Sequence, residues 1–243
     1  MDISGAGAGG DIFDLIRQQE NEDRLNRQRY FEVGDELFIW KMPSFDLEEH
    51  KVDEMIGKFR KRKTLVLDLR GNGGGFETAM LRMISNFFDR DIQVGEVKRR
   101  KETKPLVAKT RGDSIFAGKL IVLIDSQSGS AAEIFARVVQ LEKRGTVIGD
   151  RSAGAVMRSK HHPHEVGVDV VAFFGVSITD ADIIMSDGKS LEHAGVIPDE
   201  VRLATAADLA AKRDPVLAYA ASLAGITMAP EKAGSIFPLE WRK

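Results

Sequence analysis

Apolar and polar residues follow two spacings along this chain, and these spacings predict strands and helices in alternation. Continuous apolar runs at 64–70 ("TLVLDLR"), 119–125 ("KLIVLID") and 145–150 ("GTVIGD") are typical of strands buried on both faces of a sheet. Apolar residues at helical spacing after the first two runs predict helices at 76–88 and 130–143. We therefore expect an α/β fold in which helices flank a mixed, largely parallel sheet.

The rest of the chain adds elements on either side of these units. In chain order we expect a surface helix at 11–29, a strand at 36–45, a helix at 46–60, a β-ribbon at 92–109, strands at 166–174 and 176–185, and a helical tail broken at Pro215. Pro163 predicts an extended turn within "HHPH" at 161–164. No strict repeat and no second core is visible, so one domain is expected.

Composition excludes several classes of protein. The 243 residues carry 35 basic and 37 acidic side chains, and this balance provides no field for nucleic acid or an anionic membrane. The absence of cysteine excludes disulfides, thiolate metal sites and a cysteine nucleophile. No apolar run approaches the roughly 20 residues that span a bilayer, and no signal peptide is visible.

Ser130 follows the second apolar run, in "SQSGSAAEIFA" at 126–136, and two interpretations of it are open. Glu133 completes the S-x-x-E pattern of a capping box, in which the serine and the glutamate satisfy free N–H groups at a helix start. A serine on a turn between a strand and a helix is also placed to act as a nucleophile. The two roles can coexist in one residue.

The first apolar run ends in the glycine loop "GNGGG" at 71–75. Its glycines permit unusual backbone angles and leave N–H groups free to face an anion. A phosphate-binding loop fits poorly, because the lysine and hydroxyl residue of a P-loop are missing. Because the carboxyl ends of such strands share one sheet edge, the loop would offer N–H donors for an oxyanion beside Ser130. Acyl transfer needs those two parts.

Four blocks, in order, resemble the C-terminal processing peptidases, or tail-specific proteases: "LVLDLRGNGGG", "LIVLIDSQSGSAAEIFA", "TVIGDRSAG" and "DGKSLEHAGVIPDEV". The resemblance covers roughly residues 36–220 and implies a ClpP/crotonase-like ββα spiral. It implies that 1–35 form a linker and N-terminal helix, that 36–243 form a serine peptidase catalytic domain, and that a PDZ-type region lies upstream of this chain.

The same resemblance assigns roles to single residues. It makes Ser130 the nucleophile and places the N–H of Ala131 in the oxyanion hole. The second oxyanion donor is a glycine of the "GNGGG" block, with Gly74 the first choice and Gly75 the next.

The third block departs from the bacterial processing enzymes. They place a lysine base in "T-F-G-K", where this chain has "SAGA", with Ala155 at the lysine's position. Ala155 cannot accept a proton, and Lys160 would need a shifted register to replace the lysine. The tricorn core branch also lacks that lysine, and Glu192 matches its glutamate before "G-V-x-P-D". The chain is therefore closer to that branch, in which the glutamate orients a histidine; an ordinary turn carboxylate is the alternative for Glu192.

The histidine of such a triad is not evident. His193 adjoins Glu192, but neighbours on a strand point to opposite faces, and His50 lies in a polar helix start. His162, with His164 as second candidate, is the base if "HHPH" forms a mobile loop. A histidine upstream of residue 1 is favoured over both. The three clustered histidines also suggest a metal, but no carboxylate cluster completes a site, so no metal or other cofactor is expected.

The leading hypothesis is a bacterial serine endopeptidase that cleaves extended or unstructured polypeptides through an acyl-enzyme on Ser130. The resemblance implies an extracytoplasmic location, and a homo-oligomer is left open. A catalytically inactive peptide- or lipid-binding protein on the same fold, like the retinoid-binding repeats of the eye, is the alternative. A crotonase-type acyl-CoA enzyme ranks last, because it has no use for Ser130 followed by "AAE".

Overall fold

A computed structural model describes residues 27–112, 114–167 and 172–238. The strands are β1 (Arg29–Val33), β2 (Leu37–Lys41), β3 (Thr64–Asp68), β4 (Ile92–Lys98), β5 (Thr103–Ala108), β6 (Lys119–Ile124), β7 (Gly145–Gly149), β8 (Arg158–Val166), β9 (Ala172–Met185) and β10 (Glu200–Val201). The helices are α1 (Glu49–Phe59), α2 (Glu77–Ser85), α3 (Ala131–Leu141), α4 (Ala206–Ala210), α5 (Pro215–Leu223) and α6 (Pro230–Ile236). Across these ranges, no helix is long and apolar enough to cross a bilayer.

A six-stranded sheet in the order β1-β2-β3-β6-β7-β10 forms the centre of the fold. Its strands pair in parallel except β1, which is antiparallel to β2. Every residue of β3 is buried, as is every residue of β6 after Lys119, as expected for strands covered on both faces. The predicted α/β class and largely parallel sheet are confirmed.

Apolar layers cover both faces of this sheet. Leu65 and Leu67 of β3 face the layer that contains α1, α2 and α3, whereas Val66 between them faces α5. In the first layer, the ring of Phe135 on α3 lies 6.3 Å from that of Phe45 and 5.6 Å from that of Phe87. Burial of such a side chain contributes about 1.5–3 kcal/mol, so these rings hold α3, and the turn before it, against the sheet.

A second sheet, in the order β5-β4-β9-β8, is antiparallel and contains the β-ribbon expected at 92–109. The strands expected at 166–174 and 176–185 are wrong in their bounds, and "HHPH" lies within β8 rather than in a turn. β8 is solvent-exposed from Ser159 onwards, so its residues lack the apolar pattern of a strand. Pairing with β9 forms it instead, and its position at the sheet edge tolerates Pro163.

The two ends of the chain also differ from the expectations. Of the helix expected at 11–29, residues 11–26 lie outside the described part of the chain, and Arg29 belongs to β1. The helical tail is broken near Pro215, as predicted, because this proline is the first residue of α5. α6 was not predicted.

An ion cluster ties the C-terminal helices to the carboxyl end of β3. The Asp68 side chain is 1% exposed and accepts hydrogen bonds from Arg70 Nε at 2.9 Å and Nη2 at 2.7 Å. Arg70 also donates to both carboxylate oxygens of Asp214, the N-cap of α5, at 3.0 and 2.7 Å. Burial alone would raise the pKa of Asp68, but the charges of Arg70 and Lys41 and the hydrogen bonds from Arg70 outweigh it and lower the pKa.

Replacing Arg70 with methionine should lower the free energy of unfolding by about 2–4 kcal/mol at pH 7, because the buried Asp68 carboxylate loses its main partner. Arg62→Met is the matched control: Arg62 pairs with the more exposed Glu32 and Asp35, and its loss should cost less than about 1 kcal/mol. Urea unfolding followed by circular dichroism measures both values, and equal losses would contradict the special role of Arg70.

The same pair of proteins has an expected pH dependence. A lowered carboxylate pKa stabilises the fold above the unfolded value of about 4, and this contribution is lost as the pH falls through the folded value. In Arg70→Met the pKa of Asp68 should be higher than in the natural chain, because burial remains and the main opposing charge is gone. The difference in free energy of unfolding between the two proteins, measured by urea unfolding, should therefore be largest at pH 7 and narrow as the pH falls and Asp68 in the variant takes up its proton.

Candidate active site

The glycine loop and the Ser130 turn leave the same edge of the central sheet. β3 and β6 pair in parallel register from Thr64–Lys119 to Asp68–Leu123, so their carboxyl ends are level. The crevice outside such ends is the usual ligand site of parallel sheets. The expected meeting of the two turns is therefore present.

Hydrogen bonds between the two turns fasten them together. Asp125 Oδ1 accepts the N–H of Gly71 at 2.9 Å. Asn72 is fully buried, and its carbonyl oxygen accepts the N–H of Gly129 at 2.9 Å. The glycine loop therefore cannot shift without moving the residue that precedes Ser130.

Ser130 is the N-cap of α3 and has φ 51° and ψ −119°. A positive φ is uncommon for a residue with a side chain, and such strain costs about 1–3 kcal/mol and clusters at functional sites. In some serine hydrolases a strained strand-to-helix turn exposes the hydroxyl of the nucleophile. The predicted capping box is also present, with the N–H of Ser130 donating to Glu133 Oε2 at 3.0 Å. The cap does not exclude the nucleophile.

Gly74 lies directly against the serine. A Cβ added at Gly74 would lie 2.5 Å from Ser130 Cβ, 3.0 Å from Ser130 Oγ and 3.1 Å from the nitrogen of Ala131. Gly74 also has φ +105°, which side chains rarely adopt, so glycine is required here. Its own N–H donates to Asn72 Oδ1 at 2.9 Å.

The N–H groups of Ala131 and Gly75 differ from that of Gly74, which is taken up by Asn72. Ala131 is the first residue of α3, where an N–H has no acceptor within the helix and the helix dipole favours negative charge. Gly75 forms a parallel bridge with Phe45. The bonds of that bridge run from Phe45 N–H to the Gly74 carbonyl at 2.6 Å and from Phe76 N–H to the Phe45 carbonyl at 3.1 Å. The bridge therefore leaves the N–H of Gly75 unused.

The segment that follows β7, residues 152–157, forms the third side of the site. The carbonyl oxygen of Ala155 accepts the N–H of Ser130 at 2.9 Å, which places Ala155 beside the serine turn. Its methyl group cannot take a proton. Lys160 lies on β8, where its ammonium group is 3.9 Å from a carboxylate oxygen of Asp180 and 61% of its side chain is exposed.

The carboxylate of Glu133 is fully buried behind this segment. Oε1 accepts hydrogen bonds from Ser152 Oγ at 2.6 Å and Gly154 N–H at 2.7 Å. Oε2 accepts from Ala155 N–H at 2.9 Å and Ser130 N–H at 3.0 Å. These donors compensate a charge that would otherwise be costly to bury.

Glu192 lies against the same backbone segment. Its Oε2 accepts the N–H groups of Val156 at 2.8 Å and Met157 at 3.1 Å. Because Ala155 contacts Ser130 and the next residue contacts Glu192, one stretch of backbone brings the predicted serine and glutamate to neighbouring positions.

His193 lies in a turn with φ 59°, not on a strand as the sequence analysis assumed. Its side chain is 92% exposed, and Nε2 is 3.9 Å from Glu192 Oε1, beyond hydrogen-bonding distance. His50 is also exposed, and its Nδ1 lies 3.0 Å from Glu48 Oε2.

The structure does not bring His162 or His164 to the serine. Both are exposed on β8. Throughout 27–112, 114–167 and 172–238, no hydrogen bond joins Ser130 to a histidine or lysine, and no group of three His, Asp or Glu residues is placed to hold a metal ion.

Sequence reasoning missed the contributions of Asn72 and Ser152. Asn72 shapes the glycine loop, because its Oδ1 accepts the N–H of Gly74. An asparagine two residues before a glycine is a recognisable turn pattern and was the available signal. Ser152 Oγ donates to Glu133 and accepts the N–H of Val196 at 2.6 Å. Those partners are 19 and 44 residues away, so no local signal marks Ser152.

Gly74→Ala should disrupt the site, and Gly71→Ala is the matched control. Both glycines have a positive φ, so both variants carry backbone strain of about 1–2 kcal/mol. Only at Gly74 would the new Cβ meet Ser130, because nothing lies within 4 Å of the same position at Gly71. We expect the free energy of unfolding to fall by at least about 1 kcal/mol more for Gly74→Ala, as measured by urea unfolding. Equal losses in the free energy of unfolding would show that the close approach of Gly74 to Ser130 does not affect stability.

Known proteins are similar to this chain in sequence. A model of peptidase family S41 matches residues 39–202. The tail-specific protease of Haemophilus influenzae is 30% identical over 195 residues, which are 77% of this chain and 28% of that protein. The chloroplastic C-terminal processing peptidase of Tetradesmus obliquus is 30% identical over 138 residues, which are 56% of this chain and 28% of that protein. The chain thus spans less than a third of the length of these relatives.

Solved structures share the fold. A candidate peptidase from Parabacteroides merdae has a TM-score of 0.65 at 23% identity, covering 85% of this chain and 69% of that one. The tricorn protease has a TM-score of 0.57 at 21% identity, covering 86% of this chain and 19% of that one. The predicted ClpP/crotonase-like fold is confirmed by these likenesses. With the family model matching well over half of its length, the chain belongs to peptidase family S41.

Proposed function

We propose that this chain carries the nucleophile of a serine endopeptidase that hydrolyses peptide bonds in extended or unstructured polypeptides. The observation that carries the proposal is the conformation of Ser130, whose positive φ on a strand-to-helix turn places it against Gly74 at the head of α3. Membership of family S41 supports the reaction class. The activity of the whole protein is part of the proposal, since the named proteases are longer than this chain.

The proposed reaction has two steps. Ser130 Oγ attacks the scissile carbonyl carbon while its proton passes to a general base, and the carbonyl oxygen becomes an oxyanion. The base returns the proton to the leaving nitrogen, the peptide bond breaks, and the acyl group remains on Ser130. A water molecule then attacks this ester with the help of the same base and releases the carboxylic acid. No metal or cofactor takes part.

We assign the oxyanion to the N–H groups of Ala131 and Gly75. The helix start supports Ala131, and the unused N–H beside the Phe45 bridge supports Gly75. Gly74 was the first choice from the sequence, but its N–H donates to Asn72. We assign Gly74 the role of leaving room for the substrate carbonyl next to Ser130.

We propose that Glu192 orients a histidine base, as in the tricorn branch. Its fixed carboxylate, held by two N–H groups with Oε1 outside those bonds, supports this role. The position of Ala155 beside Ser130 supports the absence of a serine–lysine dyad. We place the histidine outside the residues that the structure describes, in sequence upstream of this chain, with His162 as the alternative.

The proposed setting follows from the resemblance. The partner is a polypeptide substrate, and we place the protein outside the cytoplasm of a bacterial cell. Assembly into a homo-oligomer remains a prediction.

The second candidate function is an inactive peptide- or lipid-binding protein on this fold. Within the part of the chain that the structure describes, no histidine or lysine contacts the Ser130 hydroxyl, and this favours the binding protein.

A fluorophosphonate probe should label Ser130, adding one probe mass to the intact protein, and Ser130→Ala should abolish this. Labelling of the 243-residue chain that survives His162→Ala would place the base among the chain's other residues. Labelling that is lost in His162→Ala would identify His162 as the general base. Labelling only of a version extended at the N-terminus with its natural sequence would place the base upstream. No labelling of either version would contradict the peptidase proposal and support the binding protein.

Glu192→Gln tests whether the charge of this carboxylate matters. The glutamine keeps an oxygen for the N–H groups of Val156 and Met157, so the fold should persist. If Glu192 stabilises a charged histidine, the rate of fluorophosphonate labelling should fall by at least about tenfold. Glu200→Gln is the matched control, because Glu200 accepts a hydrogen bond from Tyr219 instead. Equal labelling rates for the two variants would reduce Glu192 to an ordinary turn carboxylate.

A further inference from the structure

We propose that Glu133 is a positioning residue, which holds Ser130 in its reactive conformation and couples it to residues 152–157, the segment that binds Glu192. The inference rests on the proposed role of Ser130 as nucleophile. In a capping box the glutamate side chain needs to accept only one hydrogen bond, from the N–H of the N-cap. The Glu133 carboxylate accepts four, and it is fully buried, whereas a cap at a helix end needs no burial.

Glu133 fixes the peptide groups on both sides of Ser130. The N–H of Ser130 donates to Glu133 Oε2 at 3.0 Å, and the carbonyl oxygen of Ser130 accepts the N–H of Glu133 at 3.0 Å. The direction of the N–H defines the peptide plane before the serine, and the direction of the carbonyl defines the plane after it. The angles φ and ψ of Ser130 relate these two planes. The Glu133 carboxylate and the carbonyl oxygen of Ala155, at 2.9 Å, share the N–H before the serine, and the main-chain N–H groups of Glu133 and Ile134 hold the carbonyl after it.

The same carboxylate reaches the third side of the site. Its bonds to the N–H groups of Gly154 and Ala155 hold the segment whose next residue binds Glu192. Ser152 Oγ donates to Glu133 and accepts the N–H of Val196, which lies at the end of the turn that contains Glu192. Glu133 thus joins the serine turn, the segment beside it and the Glu192 turn through a single buried charge.

A glutamine at this position would break the arrangement without changing its size. Its amide nitrogen is a donor and would face N–H or O–H donors, so at least one buried donor would lose its acceptor. With the amide nitrogen in place of Oε2, the N–H of Ser130 would keep only the carbonyl oxygen of Ala155, and the N–H of Ala155 would lose its acceptor. With this weaker hold, Ser130 would relax towards the extended backbone that N-cap residues ordinarily adopt. Its hydroxyl would move away from the place where a substrate carbonyl meets the N–H groups of Ala131 and Gly75.

The test compares Glu133→Gln with Glu142→Gln, a glutamate at the other end of α3 that pairs with Arg90. At a temperature at which both variants are folded, fluorophosphonate labelling of Ser130 should be about 100-fold slower in Glu133→Gln and unchanged in Glu142→Gln. Hydrogen exchange followed by mass spectrometry should show faster exchange in peptides 126–136 and 150–157 of Glu133→Gln, with β3 unchanged.

Each outcome decides the proposal. Natural labelling and natural exchange in Glu133→Gln would overturn it, as would faster exchange throughout the core, which would indicate general destabilisation. If only the version extended at the N-terminus is labelled, both variants are made and compared in that version. If neither version is labelled, the proposed peptidase function fails, and exchange at Ser130 and Ala155 alone decides the positioning role. If Glu133→Gln does not fold, Ser152→Ala replaces it: faster exchange confined to 150–157 and to the Glu192 turn supports the coupling, and natural exchange overturns it.

Discussion

The in-register parallel pairing of β3 with β6 brings the glycine loop and the serine turn to one edge at the same height. A shift of one residue would exchange the faces of a strand that is buried on both sides, and the helices that follow would no longer pack. Asp125 and Asn72 then join the two turns by hydrogen bonds that are short because the strand ends are level. The geometry around Ser130 therefore depends on a register that the hydrophobic core enforces.

The site itself is built from backbone amides and two carboxylates, with few other side chains. Ser130 adopts a conformation that costs energy, which a large apolar core offsets, and Gly74 beside it adopts a positive φ that only glycine tolerates readily. Glu133 and Glu192 each accept backbone N–H groups, so the polypeptide around the serine is held from both sides.

Much of this arrangement could be predicted from the sequence, because it depends on local signals. The apolar runs identified β3, β6 and β7, and small-residue turns marked the edge of the sheet. The rest depends on contacts between distant parts of the chain. β8 forms because β9 pairs with it, although its own residues are polar, and Ser152 acts through Glu133 and Val196. Capping spacing identified the Ser130–Glu133 pair but could not reveal that the glutamate is buried.

The proline in β8 has a consequence for how copies of this protein meet. β8 is the edge strand of its sheet, and Phe174, Val176 and Ile178 on the paired β9 are about half exposed. An exposed, partly apolar edge is the feature through which proteins aggregate by strand addition. Pro163 has no N–H to offer an incoming strand, so a continuous ladder cannot form there. A polar edge strand that carries a proline is one of the ways in which natural sheets limit such strand addition.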